Sequence, residues 1–202
     1  MKSENAFVLG NGITRAEIEL EPLRPHGKIY GCNNLYLDFV PDVLVAVDTA
    51  ISTHIHKMGY CEKNILYTRD PVKKFGKSNK AYRIEKNHAY SSGPVAMTLA
   101  CQDNHRYIYM IGFDLMGIGK VADNNKRRFN NIYADKEFYK KSKADETYYG
   151  NWVQQVESIM KEYGDRTFIR VNPHMDYSPR EWDDCANYKT MDVKQFLQMI
   201  NT

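Results

Sequence analysis

The feature that most constrains this chain is a set of short apolar runs, each stopping abruptly at glycine, asparagine or aspartate. Ala6–Leu9 runs into Gly10-Asn11-Gly12, Lys28–Cys32 into Asn33-Asn34, and Val43–Val47 into Asp48. Tyr107–Ile111 runs into Gly112-Phe113-Asp114, and Thr167–Val171 into Asn172-Pro173-His174. Runs this short, apolar at successive positions, suit strands of a parallel sheet covered on both faces. In such a sheet ligands bind outside the carboxyl ends of the strands. If the strands are parallel, all of these polar stops gather along one edge. Any one of them is explained by turn formation, since Asn and Gly are common turn residues; their recurrence at successive strand ends is not.

Helical stretches separate the strands. Thr14 with Glu17 three residues on reads as the cap of a short helix, stopped by Pro22 and Pro25. Thr49–Met58 reads as a helix, and Asn64–Tyr67 as a brief strand. Ser91-Ser92-Gly93-Pro94 opens a helix running to Asp103, with proline at a first position and Ser or Gly as cap. In Asn151–Tyr163 an apolar stripe recurs at helical spacing, with Gly164 as its C′ stop. Asp192 caps Val193–Ile200, Gln195 completes a capping box, and Met191 can staple onto Phe196. This alternation predicts one α/β domain over residues 1–202, Rossmann-like, with a mostly parallel sheet and helices on both faces.

Two segments break the rhythm. Thr68–Ala89 reads as a polar loop whose Lys73, Lys74, Lys77 and Lys80 form a solvated face. Leu115–Gly150 is basic, tyrosine-rich and too long for a connection, which predicts an insertion or lid over the strand ends.

Composition narrows the class. Apolar residues make up 43%, enough for a packed core, and the net charge of +3 does not call for nucleic acid. Cys32, Cys61, Cys101 and Cys185 are scattered without a C-x-x-C pair, which supports neither a disulfide framework nor a zinc knuckle. No apolar run approaches the ~18 residues of a membrane span. The expectation is a soluble protein of a reducing, cytoplasmic compartment. The 15 tyrosines suit a ligand-lined cleft or a contact surface, which leaves a homo-oligomer open.

The candidate ligand-binding residues are therefore Gly10, Asn11, Gly12, Asn33, Asn34, Asp48, Ser91, Ser92, Gly93 and Asp114. Glycines let backbone N–H groups approach a phosphate, and a helix amino end favours an anion. The usual nucleotide fingerprints are missing. Gly10-Asn11-Gly12 is followed by Ile13-Thr14-Arg15 and not by a third spaced glycine, and Gly76-Lys77-Ser78 lacks the upstream glycine of a Walker loop. Without an Asp-x-Asp, a metal-bridged diphosphate is not indicated, and His54-x-His56 on a helix cannot share a face. Asp48 and Asp114 could bind a metal, orient a ribose or simply cap the next element.

Gly10-Asn11-Gly12, Gly31-Cys32-Asn33, Ser92-Gly93 and Ile108–Asp114 form an ordered set that resembles the core of bacterial sialyltransferases of glycosyltransferase family 42. It is also similar to the related domain of unknown function 115, which includes a pterin pyrophosphokinase. The resemblance spans roughly Ala6–Asp114 and, more faintly, Thr167–Pro173. It implies that Asn11 and Asn33 contact a nucleotide and that Ser92 and Gly93 contact its phosphate or ribose. It further implies that lid tyrosines, here Tyr133, Tyr139, Tyr148 or Tyr149, stabilise the departing phosphate, and that a histidine is the general base. His174 is the candidate base; the bland alternative is a loop histidine bonded to a neighbour.

The expectation is thus a glycosyltransferase-like protein using a CMP- or UDP-linked sugar, with no required cofactor or metal. Its partners would be a small-molecule nucleotide donor and an unidentified acceptor, a glycan or another polyanion. The alternatives are a non-catalytic nucleotide-binding module and a pyrophosphokinase-like enzyme.

Overall fold

The computed structural model describes residues 4–76, 80–119, 126–172 and 177–201. Eight strands form one sheet: β1 (Asn5–Leu9), β2 (Lys28–Cys32), β3 (Val43–Val45), β4 (Leu66–Thr68), β5 (Ala81–Arg83), β6 (Tyr107–Ile111), β7 (Thr167–Val171) and β8 (Tyr188–Met191). Their spatial order is β5-β4-β3-β2-β1-β6-β7-β8, and every neighbouring pair is parallel. The chain lays strands outward from β1 to one edge, then returns to place β6 on the other side of β1. The strand order therefore reverses between β1 and β6, where Phe7 lies between Ile29 and Tyr109.

Alternation along the strands builds two cores. Ala6 and Val8 face one side with Ile108 and Met110, under helices α4 (Ser92–Gln102) and α5 (Gly150–Glu162). Phe7 and Leu9 face the other with Tyr109 and Ile111, under α1 (Thr49–Lys57) and α6 (Val193–Ile200). The doubly covered α/β, Rossmann-like sheet is the one the apolar runs imply. All four cysteines are buried thiols. Among the described residues no helix is long and apolar enough to cross a membrane.

The differences from the sequence reading lie at the sheet edges and helix ends. Thr68–Ala89 is not simply a loop: it holds α3 (Pro71–Phe75) and the edge strand β5. β5 has three half-buried or exposed residues and β8 has exposed Lys189 and Thr190, so neither leaves an apolar signature. Lys74 is not a solvated lysine. Its ammonium donates to Ser52 Oγ at 3.4 Å and Thr68 Oγ1 at 3.3 Å, and burial lowers its pKa. Lys77 lies outside the described residues.

Helix α1 stops before Gly59 (φ +76°), and a further turn, α2 (Tyr60–Lys63), follows it. Thr14 caps nothing, because it sits inside a 3-10 turn, Ile13–Glu17, with Gly12 at the cap. Pro94 is the third residue of α4, not the first, still within the turn that needs no N–H from it. Tyr163 takes the C-cap of α5, which leaves Gly164 at C′ as expected, though without the positive φ that glycine often supplies there. Asp192 does cap α6, accepting from Gln195 N at 2.8 Å, and Met191 and Phe196 share a core.

At the amino-terminal end of the sheet, Lys28 Nζ (2.6 Å) and the Tyr30 hydroxyl both donate to Asp103 Oδ2. His105 Nε2 lies 3.0 Å from the same hydroxyl. Burial alone would raise the Asp103 pKa, but the Lys28 and Tyr30 hydrogen bonds hold it below its ordinary value. A depressed folded pKa contributes stability that is complete above the unfolded value and is lost as pH falls through the folded one. The urea midpoint of the wild-type chain should therefore fall more steeply than that of Asp103→Asn between about pH 5 and about pH 3. Parallel curves would show that Asp103 contributes nothing to acid sensitivity.

Candidate functional site

The cleft forms where the strand order reverses. The loops after β1 and β6 meet backbone to backbone: Gly10 N donates to Ile111 O at 2.7 Å and Gly12 N to Gly112 O at 3.0 Å. A Cβ on Gly10 would stand 2.5 Å from Gly112 O, and one on Gly112 would stand 2.8 Å from Gly10 O. Gly112 also has φ +71°, a region that side chains avoid. Both glycines are thus required by close approach, and the crevice opens just beyond them.

Asp114 locks this corner. It accepts from Thr14 N at 3.1 Å, from the Thr14 hydroxyl, and from Asn130 Nδ2 at 3.1 Å. Its carboxylate is therefore committed to joining the β6 loop, the 3-10 turn and the insert. From behind, the buried Arg170 donates to the carbonyls of Phe113 (3.0 Å), Asp114 (3.2 Å) and Tyr177 (2.6 Å).

The opposite wall is a relay of neutral polar groups. Val47 N donates to Ser92 Oγ at 3.1 Å, and Ser92 Oγ donates to Asn33 Oδ1 at 2.9 Å. Asn33 is held at φ +53°, a left-handed conformation that asparagine tolerates better than most side chains. Asn11 Nδ2 donates to Cys32 O at 3.2 Å and to the Tyr139 hydroxyl at 3.1 Å. Behind Asn11, Arg15 Nη2 reaches Asn11 Oδ1 at 3.5 Å and the Tyr133 hydroxyl at 3.1 Å.

From the insert, residues 130–138 pack across the strand ends. Ile132 N donates to Asn11 O at 2.8 Å, and Ile13 N to Asn130 Oδ1 at 3.0 Å. Asn34 Nδ2 donates to Glu137 O at 3.3 Å, and the Phe138 ring sits 5.2 Å from that of His54. Together these surfaces enclose a cleft of about 380 Å³.

Gly10, Asn11, Gly12, Asn33, Asp48, Ser91, Ser92, Gly93, Asp114 and Tyr139 line this one cleft. Asn34 stands behind the wall, 3% exposed. Of the other tyrosines, Tyr133 is buried beside Arg15, its pKa pushed up to about 12 by burial against the opposing effect of Arg15. Tyr148 is 73% exposed and outside the lining, and Tyr149 packs on Tyr177, rings 5.6 Å apart. Pro173 and His174 lie outside the described residues. Asp48 stands at the N-cap of α1 without a capping hydrogen bond. Ser91, at the N-cap of α4, instead accepts from Trp152 Nε1 at 3.0 Å.

Sequence reasoning missed Arg69, Lys140, Phe129 and Trp152, which also line the cleft. Arg69 is anchored by the carbonyls of His88 (2.8 Å), Ala89 (3.3 Å) and Tyr90 (3.5 Å), beside the amino end of α4. An arginine in a lysine-rich stretch gives no signal of this; Trp152 falls on the apolar helical stripe of residues 151–163, which is the signal that could have placed it. Among the described residues no group of three His, Cys, Asp or Glu is arranged to hold a metal. His54 and His56 face different aromatic partners, Phe138 and Phe75. The cleft offers amide donors, a helix amino end and the cations Arg69 and Lys140 to an anionic, hydrogen-bonding ligand, beside the carboxylates of Asp48 and of Asp114, the latter committed to Thr14 and Asn130.

No family model and no curated protein matches this chain. Solved structures do. The sialyltransferase CstII from Campylobacter jejuni in complex with cytidine-5′-monophosphate aligns with TM-score 0.52 at 12% identity, covering 84% of this chain and 80% of that one. A variant of the same enzyme with CMP gives TM-score 0.53 at 11% identity over 82% and 81%. At such identity the likeness establishes a shared fold.

Ser92→Ala would strand Val47 N–H and Asn33 Oδ1 together. Chemical denaturation should show a loss of about 1–3 kcal/mol. A loss near zero would mean that the relay is rebuilt by water. The conclusion supported so far is a glycosyltransferase-like α/β fold whose strand-end cleft gathers donors suited to an anion.

Proposed function

We propose that this chain is a nucleotide-sugar-dependent glycosyltransferase-like protein, sialyltransferase-like in fold, that binds its donor at the carboxyl ends of the strands. The observation that carries this is the convergence of Asn11, Asn33, Ser92 and Gly93 on one cleft at the point of strand reversal. The reading is supported by a fold shared with a sialyltransferase solved with CMP. The whole chain is one nucleotide-binding-like domain, with residues 115–150 as its lid.

In the reaction, an acceptor hydroxyl attacks the anomeric carbon of the donor sugar. The bond from that carbon to the nucleotide phosphate oxygen breaks, and the oxygen keeps the electron pair. Asn11, Asn33 and the first turn of α4 offer N–H donors to that developing charge, and Arg69 and Lys140 offer a positive field. Tyr139, the insert tyrosine at the cleft, is assigned to the phosphate. His174 is the candidate base for the acceptor proton. The acceptor is a glycan or another polyanion, for which the basic insert provides complementary charge.

Calorimetric titration with CMP, UDP and their sugar conjugates tests the reading. Saturable binding of at least one is expected, with affinity reduced by about tenfold in Asn33→Ala. Failure of every nucleotide to bind would sink the idea, and binding without nucleotide release in the presence of acceptors would remove the transferase.

Release of free nucleotide from the donor should also fall by at least about tenfold in Arg69→Ala if its charge serves the leaving group. Unchanged release would remove Arg69 from the chemistry.

A further inference from the structure

The hydrogen bonding around Tyr139 is inverted for a phenol. Its hydroxyl accepts from Asn11 Nδ2 at 3.1 Å. The Asn33 side-chain amide and the Asn34 backbone N–H lie near enough to the same oxygen to favour its ionised form. Asn33 cannot turn away, because its Oδ1 is held by Ser92 Oγ at 2.9 Å. A neutral phenolic oxygen offers two acceptor sites, whereas an anionic phosphate oxygen takes several donors. One amide hydrogen-bonded to this oxygen, with the N–H groups of Asn33 and Asn34 beside it, matches the second chemistry better than the first. Burial and the neighbouring Cys32 nevertheless raise the Tyr139 pKa, so the hydroxyl stays protonated and supplies no charge.

A charge waits directly behind. Arg15 is 4% exposed, and its Nε is buried with no hydrogen-bond partner. Its hydrogen-bonded partners are neutral: Asn11 Oδ1 and the Tyr133 hydroxyl. None of the ion pairs among the described residues includes it. Asp38 is reached only through Tyr133, whose hydroxyl faces it. A buried guanidinium compensated so indirectly is costly unless an anion completes it. Asn11 touches both Arg15 and the Tyr139 oxygen, so an anion in place of that oxygen would sit one side chain from the charge.

We propose that Asn11, Asn33 and Asn34 form a receptor for an anionic phosphate oxygen, that the Tyr139 hydroxyl occupies it in the ligand-free chain, and that an incoming phosphate displaces Tyr139, with Arg15 as counter-charge. The proposal rests on the nucleotide reading of the cleft and adds to it a self-occluded resting state. Tyr139 lines the cleft, so the exchange opens onto the space where the ligand enters. Once displaced, the hydroxyl keeps its proton and donates when charge develops on the leaving phosphate, a contribution that equilibrium binding of pyrophosphate or CMP does not draw on.

The test compares wild type with Tyr139→Phe, which keeps the ring and removes the competing oxygen. Calorimetry with pyrophosphate, CMP and cytidine should show both phosphate compounds binding about threefold to thirtyfold tighter to the variant, with cytidine within about twofold. The ligand-free variant should also melt below wild type, because Asn11 Nδ2 loses its acceptor. Unchanged or weaker pyrophosphate binding, or an equal gain for cytidine, overturns the proposal. A pyrophosphate gain with neither CMP nor cytidine bound by either protein leaves the receptor standing and removes the nucleotide reading. Equal CMP affinity in both proteins does the reverse. Asn33→Ala, which leaves Tyr139 in place, approaches from the other side: pyrophosphate affinity should drop about fivefold or more, and no drop overturns the receptor.

Discussion

Everything at the strand ends depends on the contact between the backbones of Gly10 and Gly112. Two central strands can lie side by side without their following loops touching. Here the loops do touch, through Gly10 N to Ile111 O and Gly12 N to Gly112 O, because no Cβ stands between them. That approach brings Asp114 within reach of Thr14 and Asn130, and so ties the insert to the sheet. A methyl group at either glycine would push the loops apart and open the cleft floor before it disturbed the core.

Buried cations perform the second part of the work, in two different ways. Arg170 is satisfied by three carbonyl oxygens and serves as a cross-brace under the β6 loop. Arg15 is bonded to neutral groups and keeps an orphaned Nε. The first is a completed polar network of the kind that rigidifies a structure; the second is an incomplete one. Their contrast separates a satisfied brace from an incompletely satisfied cation, which burial alone does not, since both are under 5% exposed.

The centre of the fold was legible because the apolar runs of β1, β2, β3, β6 and β7 are continuous and end in Gly, Asn or Asp. The edges were not. β5 and β8 are half-wet, and their pairing is decided by neighbours rather than by their own pattern. At the cleft, strand-end position was enough to gather Gly10, Asn11, Asn33, Ser92 and Asp114. It could not show that Asn34 turns inward, or that Asp114 spends its oxygens on the scaffold. Nor could it sort the tyrosines. Tyr148 and Tyr149 are adjacent in sequence, yet one is exposed and the other packs on Tyr177, a difference set by tertiary contacts.

The reversal of strand order has a consequence for how the chain is made. Strand β1 is paired on one side by the nearby β2, Phe7 with Ile29, and on the other by the distant Tyr107–Ile111. During synthesis Ala6-Phe7-Val8-Leu9 emerges well before Tyr107–Ile111 and keeps an open, apolar edge until the sixth strand has been made. An unpaired edge of that kind is where chains associate wrongly. The half-sheet from β1 to β5 is thus a nascent-chain hazard that closes when α4 and β6 arrive, and the same arrival builds the cleft. Quality control of the newborn protein and completion of its ligand site are one event.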